Sequence, residues 1–127
     1  MRRAAKGTPA TPLELTLAAA ALAESKNARD IVILDMSGLV SYTDYIVVCT
    51  GQTPRQTKAI AEELRIRMKA DHGVVPRTVE GAREGEWILV DLLDCVVHVF
   101  TPESRDFYRL DRLWKEAPRQ EYVAAAS

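Results

Sequence analysis

The chain has 127 residues, enough for one compact domain with a real core and too few for two. Its 17 Lys+Arg oppose 18 Asp+Glu, a formal net charge of −1. That balance excludes a protein held on nucleic acid mainly by counterion release, which needs a basic stripe, and leaves docking on another protein open.

Met1–Ala10, short and rich in small and basic residues, is expected to be a mobile arm. Arg2, Arg3 and Lys6 ahead of Leu13–Ala23 superficially resemble a signal peptide, but Pro12, Glu14 and Thr16 interrupt the apolar part. Thr11-Pro12-Leu13-Glu14 instead reads as a capping box with proline at the first helical position. No run is long enough to span a bilayer, so a soluble, cytoplasmic protein is expected. The first helix, from about Pro12 to Ser25, sets Leu13, Leu17, Ala20, Ala21 and Glu24 on one face and Leu15 and Leu22 on another. So broad an apolar surface predicts cover on more than one side, or a weak homodimer through a second copy.

Ile31–Met36 reads as a strand and Ser37–Thr43 as a loop broken by Gly38. Tyr45–Thr50 is a second strand whose continuous apolar run predicts a central position, buried on both faces. A tight junction at Gly51 leads into a helix opened by Thr53-Pro54 with Gln56 as capping partner, ending near Ala70 before a left-handed cap at Gly73. Thr57, Ile60, Ala61, Leu64 and Met68 form its apolar stripe, and Glu63 and Arg67 an i,i+4 pair. Val74–Glu80 reads as a strand, with Pro76 pointing to a sheet edge or a bulge.

Trp87–Val90 and Cys95–Phe100 are two short apolar runs rich in β-branched and aromatic residues, an antiparallel hairpin joined through Asp91-Leu92-Leu93-Asp94. A hairpin serving only the core would not require Trp87, Asp91, Asp94 and His98. Thr101-Pro102-Glu103 opens the last helix, where Phe107, Leu110, Leu113 and Trp114 recur at helical spacing until Pro118 bars continuation. The sequence thus predicts one α/β domain over 11–117, three helices with a mixed sheet of about five strands in the order αββαβββα, and a flexible tail over 118–127.

Chemical motifs are sparse. The Gly51 junction offers helix N–H groups to an anion, but no GxGxxG or GxxxxGK[ST] accompanies it. Asp35 and Asp44 would hold a divalent cation only if they faced each other; aspartates at strand ends more often cap turns. No nucleophile has an evident partner base, so no catalytic residue, cofactor or metal is assigned. Cys49 and Cys95 lie inside apolar runs, as reduced buried thiols do. His98 would need Asp91 or Asp94 across the hairpin to act as a base; otherwise it is a satisfied, partly buried side chain. Trp87 is either core or the aromatic anchor of an interface.

Thr43-Asp44-Tyr45-Ile46-Val47-Val48-Cys49-Thr50-Gly51, with Arg55-Gln56 and Ala59-Ile60-Ala61, resembles the ribosomal silencing factor (Iojap-like) family. So do Glu80-Gly81, Trp87, Asp91, Asp94, Val96–Phe100, Arg105, Tyr108, Leu110, Leu113 and Trp114. The resemblance implies a nucleotidyltransferase-like α/β fold without a catalytic set. It also implies a translational repressor that binds the large ribosomal subunit through the fourteenth protein of that subunit, uL14, on the intersubunit face and blocks joining of the small subunit under nutrient limitation. Glu80, Trp87, Asp91, Asp94, His98, Arg105 and Tyr108 are then the expected partner-binding residues, with carboxylates suited to a basic ribosomal protein. No membrane and no sequence-specific nucleic-acid contact is expected. The alternative is a nucleotide-binding or nucleotidyl-transferring domain built on Gly51 and the strand-end aspartates. Where the family commonly has glycine this chain has Leu93; leucine resists φ > 0, which predicts a wider or differently registered turn and leaves the facing of Asp91 and Asp94 open.

Overall fold

A computed structural model describes residues 10–123; the expected arm, apart from its last residue, and the last four residues of the expected tail lie outside that range. Three Thr-Pro pairs start the first three helical segments as the sequence requires. Thr11 caps α1 (Pro12–Ser25) in a full box, Thr53 caps α2 (Pro54–His72) and Thr101 caps α3 (Pro102–Tyr108), each accepting from the N–H three residues on. At α2 the box is not reciprocal: the Gln56 side chain accepts from Gln52 N–H instead (2.7 Å) and donates to the carbonyls of Lys26 and Asn27. Gly73 closes α2 at φ 70.

The strands β1 (Arg29–Asp35), β2 (Tyr45–Thr50), β3 (Thr78–Glu80), β4 (Trp87–Asp91), β5 (Cys95–Phe100) and β6 (Arg119–Gln120) form one sheet in the order β3-β4-β5-β2-β1-β6. Only β2 and β5 run parallel; every other pair is antiparallel. The apolar run of β2 does lie at the centre, and the Pro76 segment does lead into an edge strand, β3, shorter than Val74–Glu80. The sheet has six strands rather than five. Arg119–Gln120, inside the expected tail, pairs with Ile33 and Leu34 of β1.

One sheet face is sealed by α1 and α2. Ile33, Val47, Cys49, Ile88, Val90, Val97 and Val99 meet Ile60, Leu64 and Met68 of α2 and Ala19, Ala20 and Ala23 of α1. The alanines let α1 sit close to the sheet, where bulkier side chains would not fit. The stripe on α1 is Leu15, Thr16, Ala19, Ala20 and Ala23, not the one its leucine spacing suggests, and Ala21 faces water. Leu13, Leu17 and Leu22 are half-buried, the last two packed within the chain on the same cluster. The surface from which a homodimer is expected is therefore largely covered internally. Glu63 and Arg67 do not pair; Arg65 binds Glu62 and Arg67 binds Asp71.

The predicted last helix breaks at Arg109, which takes a left-handed φ of 51 and separates α3 from a single turn, α4 (Leu110–Leu113). Leu110 is buried, but Phe107 and Leu113, expected on one apolar stripe with it, are 78% and 68% exposed. The break rotates the second half of the stripe away from the first. Among the described residues no helix is long and apolar enough to cross a membrane.

Candidate functional site

Opposed residues of antiparallel strands share a face. The pairs Trp87↔Phe100, Leu89↔His98, Asp91↔Val96, Glu80↔Leu89 and Thr78↔Asp91 therefore line up on the sheet face away from α1 and α2. Towards β2 and β1 this face is filled by Leu34, Met36, Ile46, Val48, Phe100, Leu110 and Ala117. Towards β4 and β3 only α3 lies over it, and Trp87 and Leu89 stay half-buried with Glu80 exposed.

An aromatic cluster forms at that boundary. The Trp87 ring stacks on buried Phe100 (5.0 Å between centroids) and leans on Tyr108 of α3 (4.5 Å). Phe107 meets the Tyr108 ring edge-on at 4.9 Å, and Tyr108 is 51% exposed. Trp87 is thus core on its inner side and accessible on its outer side. Its indole Nε1–H donates to His98 Nδ1 (3.0 Å), which places the imidazole proton on Nε2 in the neutral ring. Burial pushes the His98 pKa down to about 4. Among the described residues no carboxylate partners it: the indole, not Asp91 or Asp94, satisfies this histidine.

Gly81 sets the entry to β4. It sits at φ 82, and a Cβ there would stand 2.0 Å from the Trp87 carbonyl oxygen. Only glycine lets β3 turn back so tightly onto the start of Trp87's strand.

The hairpin turn corrects an expectation. Leu93 itself takes φ 77, so the connection stays tight, Leu92 N–H bonding the Cys95 carbonyl (2.9 Å), and the β4–β5 register is regular. Asp91 supports the strained turn by accepting Leu93 N–H (2.9 Å) while binding Arg77 (3.0 Å). Asp94 lies in that turn, and its carbonyl accepts the N–H groups of Asp44 and Tyr45.

Of the expected partner-binding residues, the structure brings Glu80, Trp87, Asp91, His98 and Tyr108 to one face. Asp94 sits at its end, in the turn. Arg105 points the other way across α3, donating to the Asp30 carbonyl (2.7 Å) and Thr50 Oγ1 (2.8 Å). Phe107 was legible only as core, because its spacing from Leu110 hides the break at Arg109. Asp35 caps its own turn through Ser37, which holds its carboxyl below the usual range. The Gly51 amide is spent on the Phe100 carbonyl (2.8 Å) and that of Gln52 on Gln56, so neither is free for the anion that the alternative reading would place at this junction. Gly51 is needed for contact, since a Cβ would meet Thr57 Cγ2 at 2.9 Å. Cys49 and Cys95 are buried, and burial pushes both thiols up to about 12.

A mixed open sheet, sealed on one side and carrying a partly exposed aromatic cluster on the other, defines a single α/β domain. The family model for the ribosomal silencing factor during starvation matches residues 9–126, and the chain belongs to that family. It is similar to the ribosomal silencing factor of Bacillus subtilis, 42% identical over 100 residues, covering 79% of this chain and 84% of the relative. A mouse relative named for mitochondrial assembly of the ribosomal large subunit is 32% identical over 98 residues, 73% of this chain and 42% of its own length. The crystal structure of a Chromobacterium violaceum protein superposes with a TM-score of 0.81 at 35% identity, covering 93% of this chain and 97% of that one.

Proposed function

We propose that this protein is a cytoplasmic translational repressor that docks on the large ribosomal subunit through its Trp87–Tyr108 face. The partner is uL14, on the intersubunit surface, and occupancy blocks joining of the small subunit, lowering translation when nutrients are short. The observation that supports this most is the uncovered half of the sheet, where Trp87 and Tyr108 form an anchor with the carboxylate of Glu80 on the same face. Aromatic anchors of this kind carry most of the energy of an interface, and rim carboxylates steer a basic partner. Family membership and the ribosomal names of the relatives support the partner. Such a blocker needs no chemistry, only residence.

Tyr108→Ala tests the face with little harm to the fold, because that ring lies on the outside. It should weaken co-sedimentation with purified large subunits by about 2 kcal/mol, roughly 30-fold, with an almost unchanged melting temperature. Undiminished binding would remove the face from consideration. Light scattering from mixed subunits tests the occlusion: inhibition should saturate near one copy per large subunit, whereas inhibition deepening with time far below that ratio would indicate a catalyst.

A further inference from the structure

Helix α3 separates two surfaces. Tyr108 reaches towards β4 and β5, while Arg105 reaches towards β2 and β1. On the second side Arg105, Arg109 and Arg112 line a crevice of about 450 Å³ with Thr50 and the carboxylates of Asp30 and Asp106. Four observations make this more than a gap between side chains. It lies outside the carboxyl ends of the parallel pair β2 and β5, the place where open α/β sheets take ligands. Strand β1 bulges beside it, the pairing with β2 slipping between Arg29 and Val32, and bulges of this kind re-aim groups next to sites. Asp30 and Arg109, both at φ 51 without being glycine, lie in its wall; such strain collects where a site over-determines the backbone. Finally Arg105 is already oriented, its guanidinium fixed on the Asp30 carbonyl and the Thr50 hydroxyl.

Among the described residues that line the crevice are three guanidiniums and two carboxylates, in a chain of net charge −1. Arg109 and Asp106 are 3.8 Å apart and both exposed, a contact weak enough for a stronger anion to displace. Guanidinium forks fit the paired oxygens of a phosphate. A nucleotide would also want a surface for its base, and no aromatic ring lines this crevice. The neighbouring backbone amides of Gly51 and Gln52 are taken as well. We infer that the Arg105–Arg109–Arg112 crevice binds a backbone phosphate of folded RNA, a positioning contact that carries no sequence information. It supplements a protein-docking face and does not depend on it.

The test uses the full chain and a fluorescently labelled RNA hairpin, with anisotropy followed over a potassium chloride series. The variant combines Arg109→Asn, which tolerates the left-handed backbone, with Arg112→Gln, and leaves the structural Arg105 intact; an unchanged thermal melt certifies its fold. Wild-type binding should weaken with salt and be indifferent to shuffling the hairpin sequence. In the variant, affinity should drop about tenfold at low salt and the log–log salt slope flatten by roughly one, as expected for one lost phosphate contact. Equal affinity and slope in the variant would overturn the site. ATP that binds in the crevice while the hairpin does not would overturn the RNA assignment. Tyr108→Ala should bind the hairpin as wild type does, so this inference and the docking face can fail separately.

Discussion

The two faces of one sheet have been finished differently. Against α1 and α2 the large side chains of β2, β4 and β5 are buried, Tyr45 at the start of β2 excepted, and the small residues of α1 close the remaining space. On the opposite face α3 and α4 lie over β5, β2 and β1 and reach β4 only where Tyr108 meets Trp87, leaving Trp87 and Leu89 half-buried and Phe107 and Tyr108 largely in water. Strands that pair in one hydrogen-bonded ladder are therefore fully packed on one side and left partly accessible on the other, the side proposed for docking. The alternation of β4, with Ile88 and Val90 inward and Trp87, Leu89 and Asp91 outward, divides the labour within five residues.

That division can be broken most forcefully from the sealed side. Leu64→Ala removes a fully buried side chain from the middle of α2 and should cost about 3 kcal/mol in urea unfolding. Binding to large subunits, per folded molecule, should be unaffected. A binding defect out of proportion to the unfolded fraction would show that the two faces are not independent.

A second test acts through pH. The His98 pKa lies near 4 in the fold against about 6.5 in an unfolded chain. Above pH 6.5 both states are neutral and the full stability is present. Below it the unfolded chain takes up a proton that the native ring refuses, so stability falls with pH until the native ring titrates near 4. The whole loss is roughly 3 kcal/mol, and about 2 of it is already incurred by pH 5, where most carboxylates are still ionised. His98→Gln should flatten the curve between pH 7 and 5. An identical slope in the variant would assign the loss to other groups.

The smallest effect is at the hairpin. Leu93→Gly relieves a φ of 77 on an exposed side chain and should raise stability by about 1 kcal/mol, the left-handed penalty less the entropy glycine adds to the unfolded chain. A loss instead would mean that the leucine side chain supports the turn.

Much of the fold was legible because its signals are local. Thr-Pro openings, the continuous apolar run of β2 and the paired runs of the hairpin each announce themselves within a few residues. What was not legible depends on the tertiary frame. Nothing in Tyr108-Arg109-Leu110 marks a break, since arginine normally continues a helix; the chain bends there because Leu110 packs on the sheet. The φ of Leu93 is imposed by the register of β4 and β5 against the residue's own preference. At the candidate site, sequence found the residues of the face, Trp87, His98 and Tyr108 among them, but not that the indole would be the partner of His98. It also grouped Arg105 with them, although its side chain lies across α3. Arg109 and Arg112 carry no motif and gain meaning only from the crevice.

The two-residue strand β6 has a consequence for the chain's behaviour in company. At the β3 end the sheet is protected by shortness and charge: three residues, Glu80 the last of them, with Arg77 beside them and Pro76 just before. At the other end β1 offers Ile31-Val32-Ile33-Leu34, an apolar row of the kind that templates aggregation. Arg119–Gln120 lies along that row, the Pro118 carbonyl takes the Asp35 N–H, and Tyr122 hydrogen-bonds Glu24 on α1 to hold the segment down. A few residues after the last helix thus act as a selvedge, finishing the one edge of the weave that would otherwise fray into its neighbours.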